Sequence, residues 1–124
     1  MSGSTHPTDR RRYVTAVLQR YCATFDTPGR ARGADRRLAA ELYDQGVPFE
    51  VVATALTLAT CRRNYRRLGA VPLEPVNSLH YFRPVIAELL RRPLDEEYVE
   101  YLQRKLDDLI QRRDDNGSAI DEIP

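Results

Sequence analysis

The sequence predicts an all-α fold, a single compact bundle of about five helices containing a helix-turn-helix-like αα-hairpin. Three observations carry this. Apolar residues recur at i, i+3 and i+4 through most of the chain, no stretch alternates as a strand does, and the breaks between segments fall on Gly and Pro. The length of 124 residues suits one domain with tails, and 42% hydrophobic residues are enough for a modest core.

Residues 1–7 are expected to be a disordered N-terminus, residues 8–113 the helical domain, and residues 114–124 an acidic disordered tail. Thr8 or Asp9 caps a first helix to about Phe25, with Tyr13, Val14, Val17, Leu18 and Tyr21 on its inner side. Arg10, Arg11 and Arg12 open its outer face; they are either an anion contact or a solvated helix start. Asp26–Gly33 (DTPGRARG) is a loop with two further cations, Arg30 and Arg32.

The segment from Ala34 to Arg67 holds two helical patterns joined by Gln45-Gly46-Val47-Pro48. Gly46 suits the positive φ just past a helix end, and Pro48 suits the start of the next helix. The spacing from Gly46 to Val52 fits a DNA-binding helix-turn-helix as well as the αα-hairpin of a plain bundle. Gly69–Asn77 is too rich in Pro to be helical, and Val71, Leu73 and Val76 are expected to cross the core as an extended strap. A fourth helix starts from Asn77 or Ser78, with Pro84 either in its first turn or kinking it, and Pro93 ends it. The last helix runs from Leu94 to Arg113, capped by Asp95, with Tyr98, Tyr101, Leu102, Leu106, Leu109 and Ile110 as an apolar stripe for the bundle or for another chain.

Composition excludes several function classes. No run of about 18 apolar residues is present, and the start lacks an apolar signal region, so the expected address is the cytoplasm with no membrane contact. Cys22 and Cys61 belong to no CxxC or Cys/His cluster, and with only His6 and His80 beside them they predict free thiols and no zinc site. No nucleophile elbow, phosphate-cradling Gly loop or HExxH pair appears, His80 has no identifiable partner, and Asp95, Glu96, Glu97 and Glu100 fit an exposed helix start better than a metal site. The chain therefore reads as non-enzymatic, with no cofactor.

Charge is the informative bulk property. Residues 1–92 hold 15 Arg against 8 acids, and residues 93–124 hold 4 basic residues against 10 acids, which together give the net +1. On a continuous helix Arg62, Arg63, Arg66 and Arg67 fall at i, i+1, i+4 and i+5 and share one face, with Asn64 and Tyr65 beside them. Forked guanidiniums, an amide and a stacking ring are the groups that hold nucleic acid. Arg36 and Arg37, and further off Arg91 and Arg92, extend the candidate patch. The alternative is a solvated helix end whose arginines pair with the acidic last helix. The acidic arm is expected either to fold back on the patch or to dock a basic partner, and in either role deleting residues 95–124 raises nucleic-acid affinity.

The stretches Leu42–Pro48, Val51–Leu56 and Leu79–Ile86, in that order, resemble the DnaD-like domain of bacterial primosome and replication-initiation proteins. The family's closing Tyr, Ile, Trp motif is met here by Tyr81, Val85 and Leu89, without the tryptophan. The resemblance covers residues 34–90 and implies a DNA-binding, oligomer-forming helical domain; the winged-helix domain that usually precedes it has no counterpart here. The expected function is a small DNA-associated accessory protein that contacts backbone phosphates with little sequence reading. The alternative is a helical adaptor, dimeric or partner-bound through residues 94–113, for which nucleic acid is irrelevant.

Overall fold

A computed structural model describes residues 7–65 and 73–122, with side chains for residues 9–65 and 73–112. Five α-helices build it: α1 (Pro7–Ala23), α2 (Gly33–Asp44), α3 (Phe49–Asn64), α4 (Arg83–Arg91) and α5 (Glu96–Glu122), with a short 3₁₀ helix at Leu79–Phe82. Strands are absent among the described residues. None of these helices is long and apolar enough to cross a membrane.

α3 is the central element. Val52, Ala55, Leu56 and every residue from Thr57 to Cys61 are buried, and α1, α4, α5 and the 3₁₀ helix all pack on it. Thr57 and Thr60 can be buried because each hydroxyl donates one turn back, Thr57 to the Ala53 carbonyl (3.2 Å) and Thr60 to that of Leu56 (2.7 Å). Around it Val17, Tyr21, Leu38, Leu79, Phe82 and Ile86 are each no more than 2% exposed. Complete burial of one such side chain contributes about 1.5–3 kcal/mol.

α1 and α2 form the antiparallel pair. Arg10 at the start of α1 meets Asp44 at the end of α2 (2.9 Å), and the Tyr13 hydroxyl donates to the Val47 carbonyl (2.7 Å). α1 begins at Pro7, whose missing N–H costs nothing in a first turn. It stops at Ala23, short of Phe25. The Thr24 hydroxyl donates to the Arg20 carbonyl, the Thr27 hydroxyl donates to those of Tyr21 and Thr24, and Asp26 turns the chain with φ 74°.

The turn after α2 is a Schellman motif. Gly46 takes φ 78° and its N–H donates to the Tyr43 carbonyl, while the Val47 N–H reaches that of Leu42. α2 and α3 then diverge: α2 packs chiefly on α1 and the 3₁₀ helix, so the two helices joined by this turn meet mainly at the turn itself.

Three further features differ from expectation. The fourth helix is split, because Pro84 has no N–H to bond the His80 carbonyl; the chain tightens into 3₁₀ over Leu79–Phe82 and becomes α-helical with Pro84 in the first turn. Of the expected strap, Val76 is 3% exposed and Leu73 is 46% exposed, so Val76 alone of that pair anchors it, and Val71 lies outside the described residues. α5 continues to Glu122, well past the expected end near Arg113, since an established helix propagates at little cost and no proline interrupts it before Pro124. The expected disordered N-terminus, apart from Pro7, lies outside the described residues.

Candidate nucleic-acid interface

One end of the bundle gathers the end of α3, the loop after α1, the start of α2 and the strap before the 3₁₀ helix. Two contacts fix it: Arg63 reaches Asp26 in the loop, and Asp35 of α2 accepts the Leu79 N–H at 2.9 Å. Residues 62–65 of the first basic group singled out in the sequence, and Arg36–Arg37 of the second, therefore meet this same end. Their side chains are used very differently.

At the end of α3 each described member is engaged within the chain. Arg62 forms a two-pronged pair with Glu88 of α4 (2.9 and 2.6 Å). That hydrogen bonding raises the Arg62 pKa and holds the Glu88 carboxyl below its ordinary value. The Arg63 side chain is 8% exposed. It donates to the Tyr81 hydroxyl and the Glu74 carbonyl (both 3.0 Å), reaches Asp26 at 3.4 Å, and lies 5.3 Å from the Tyr81 ring centroid. Burial works to lower its pKa, and the bonds to Tyr81 and Asp26 outweigh that and leave it raised. Asn64 donates to Asp26 (3.0 Å) and to the Thr60 carbonyl (2.8 Å).

The Tyr65 N–H closes α3 on the Cys61 carbonyl, its hydroxyl donates to the Lys105 carbonyl (2.7 Å), and the Lys105 ammonium sits 4.6 Å from its ring centroid. α3 ends at Asn64, so the continuous helix assumed for residues 62–67 stops before Arg66; Arg66 and Arg67 lie outside the described residues. The carboxylates that neutralise Arg62 and Arg63 come from α4 and the α1–α2 loop rather than from the acidic last helix. α5 meets this segment with Lys105.

The start of α2 is different. Arg30, Arg32, Arg36 and Arg37 are all exposed, and none has an ion-pair partner among the described residues. The one acid among them, Asp35, is 1% exposed and spent on backbone, its two oxygens accepting the N–H groups of Arg32 (2.8 Å) and Leu79. A Cβ built on Gly33 would lie 3.5 Å from the Arg37 guanidinium, which therefore folds back over the first turn, at the positive end of the helix dipole. Sequence reasoning placed Arg36 and Arg37 as extensions of the patch and Arg30 and Arg32 as loop cations. The role of Asp35 was missed, although an acid three residues past the cap of a helix is half of a capping box.

Other candidates resolve simply. Arg91 and Arg92 are exposed at the end of α4. His80 is exposed on the 3₁₀ helix. Cys22 and Cys61 are free thiols; Cys61 is buried, which pushes its pKa up, and its sulfur lies 3.4 Å from the Leu102 carbonyl. Groups of three or more His, Cys, Asp or Glu able to hold a metal are absent among the described residues.

Fold and site together define a small all-α bundle with a basic end and an acidic last helix. No family model, curated protein or solved structure matches the chain.

Proposed function

We propose that this chain is a small non-enzymatic nucleic-acid-associated protein that grips backbone phosphates at the basic end of its bundle, through Arg30, Arg32, Arg36 and Arg37. The observation that carries this is the set of four exposed guanidiniums within one loop and the first two turns of α2, none with an ion-pair partner among the described residues, where the one acid within residues 30–37, Asp35, is buried and already bonded. The resemblance of residues 34–90 to DnaD-like domains supports DNA as the polyanion. The 62–65 segment becomes a scaffold for that end: Arg63 ties the loop, the strap and the 3₁₀ helix together. Charge with few base-reading groups favours low sequence specificity.

Fluorescence anisotropy with duplex and single-stranded oligonucleotides at low and high salt tests the reading. Four phosphate contacts on duplex give a log–log salt slope of about −3.6, at about −0.9 per contact. Arg36→Ala and Arg37→Ala should each flatten that slope by about 0.9, and Arg62→Ala should leave it nearly unchanged. Failure of the wild-type chain to bind either oligonucleotide at low salt would overturn the proposal. A second reading, the protein-interaction module, is favoured by one specific observation: Tyr98 and Tyr101 of α5 are each 45% exposed and stacked on one another.

A further inference from the structure

α5 carries two seams. Val99, Leu102, Leu106 and Leu109, spaced 3, 4 and 3, turn toward the bundle, and Leu102 and Leu106 are each 5% exposed. Tyr98, Tyr101 and Lys105, spaced 3 and 4, lie about 100° round the helix from them, with Leu94 just ahead of its first turn. This second seam walls a groove of about 380 Å³ floored by Leu58 and Cys61 of α3. The Tyr98 and Tyr101 rings stack with centroids 5.8 Å apart and 24° between their planes. Glu97, Glu100 and Arg104 flank the tyrosines; all three are exposed, and none has an ion-pair partner among the described residues.

We infer that this face docks on the same face of a second copy of the chain, the two α5 helices crossing antiparallel near Tyr101. The order of charge along the helix selects the arrangement. Its start carries Asp95, Glu96, Glu97 and Glu100, followed by Arg104 and Lys105. A parallel pair would set Glu97 and Glu100 against themselves. The antiparallel pair sets them against the partner's Arg104, and two-fold symmetry supplies each such contact twice. At the crossing the stacked tyrosines of the two copies cover each other, as buried aromatic anchors do at the centre of interfaces. Glu96–Arg112 is about 25 Å long at 1.5 Å per residue, which gives a contact at the small end of stable interfaces and hence a dimer that dissociates on dilution. α5 lies wholly beyond residues 34–90, and the pairing does not depend on phosphate binding.

Sedimentation equilibrium of the full chain across a micromolar concentration series tests this, with circular-dichroism melts to check that each variant is folded. The wild-type chain should be a reversible dimer, and Tyr101→Glu should weaken it by about tenfold or more. Glu97→Lys with Glu100→Lys, and separately Arg104→Glu, should each weaken self-association, while an equal mixture of those two variants should associate more tightly than either alone. Arg104 is exposed on the helix, so its variant keeps the test open should Tyr101→Glu fail to fold. A wild-type chain that stays monomeric throughout overturns the inference. So does a folded Tyr101→Glu variant that dimerises like wild type, or a mixture no tighter than its components.

Discussion

The Asp35 carboxylate is almost wholly out of water, and both its oxygens are taken by backbone N–H groups, one from its own helix cap and one 44 residues further on. It thereby fixes the start of α2 and hangs the 3₁₀ helix, with buried Leu79 and Phe82, on α2. Removing the carboxylate strands two buried donors, and hydrogen bonds to charged groups are each worth about 1.5–3 kcal/mol. Asp35→Ala is therefore expected to cost about 3 kcal/mol or more in urea denaturation. Asp35→Asn keeps one acceptor oxygen and should cost about half as much. Equal stability of Asp35→Ala and wild type would show that the clasp does not hold the fold. The same logic bears on function: a loosened clasp displaces Arg36 and Arg37 without altering either side chain, so Asp35→Asn should weaken phosphate contact while the charge of the exposed surface is unchanged.

Among the elements, α3 shows what was legible and what was not. Its start at Phe49 follows from Pro48, and the Gly46 turn follows from its sequence. Its facing does not. A helix with Val52, Ala55 and all of Thr57–Cys61 buried has no polar side, so periodicity gives no phase from which to tell that Arg63 points inward and Arg62 outward. Glu88 and Asp26, 26 and 37 residues distant, decide the matter, and neither distance leaves a local pattern.

The Arg62–Glu88 pair also joins α3 to α4 in a pH-dependent way. Hydrogen bonding from Arg62 depresses the Glu88 pKa below 4.5 in the fold, so the stability it contributes is fully present above 4.5 and is lost as pH falls through the lower, folded value. Melting temperatures followed from neutrality into acid should fall less steeply in Arg62→Ala than in wild type. Asp44, whose pKa Arg10 depresses in the same way, contributes to the acid loss that remains in the variant. Identical acid limbs would remove this pair from the account of stability.

Over the whole molecule the charge asymmetry read from composition becomes a separation in space. Residues 9–40 carry eight Arg against three Asp, and residues 95–112 carry six acids against three bases, with α3 packed against both α1 and α5. Among the described residues no carboxylate of α5 pairs with an arginine outside that helix, and deleting residues 95–124 would strip Leu102 and Leu106 from the core, so truncation reports folding rather than affinity. The field of α5 can still oppose a polyanion at the arginines of the α2 start. Its contribution is reachable without touching the tyrosine seam, by Glu96→Gln, Asp107→Asn and Asp108→Asn, all on exposed positions. Charges at such distances act through solvent and are screened beyond about 10 Å at 0.1 M salt. The triple variant should therefore bind duplex about two- to fivefold more tightly than wild type at low salt, and the two should converge at high salt. Equal affinities at low salt would mean that the last helix is electrostatically irrelevant to the basic end. A difference that persists at high salt would place a carboxylate in direct contact with an arginine of the binding surface.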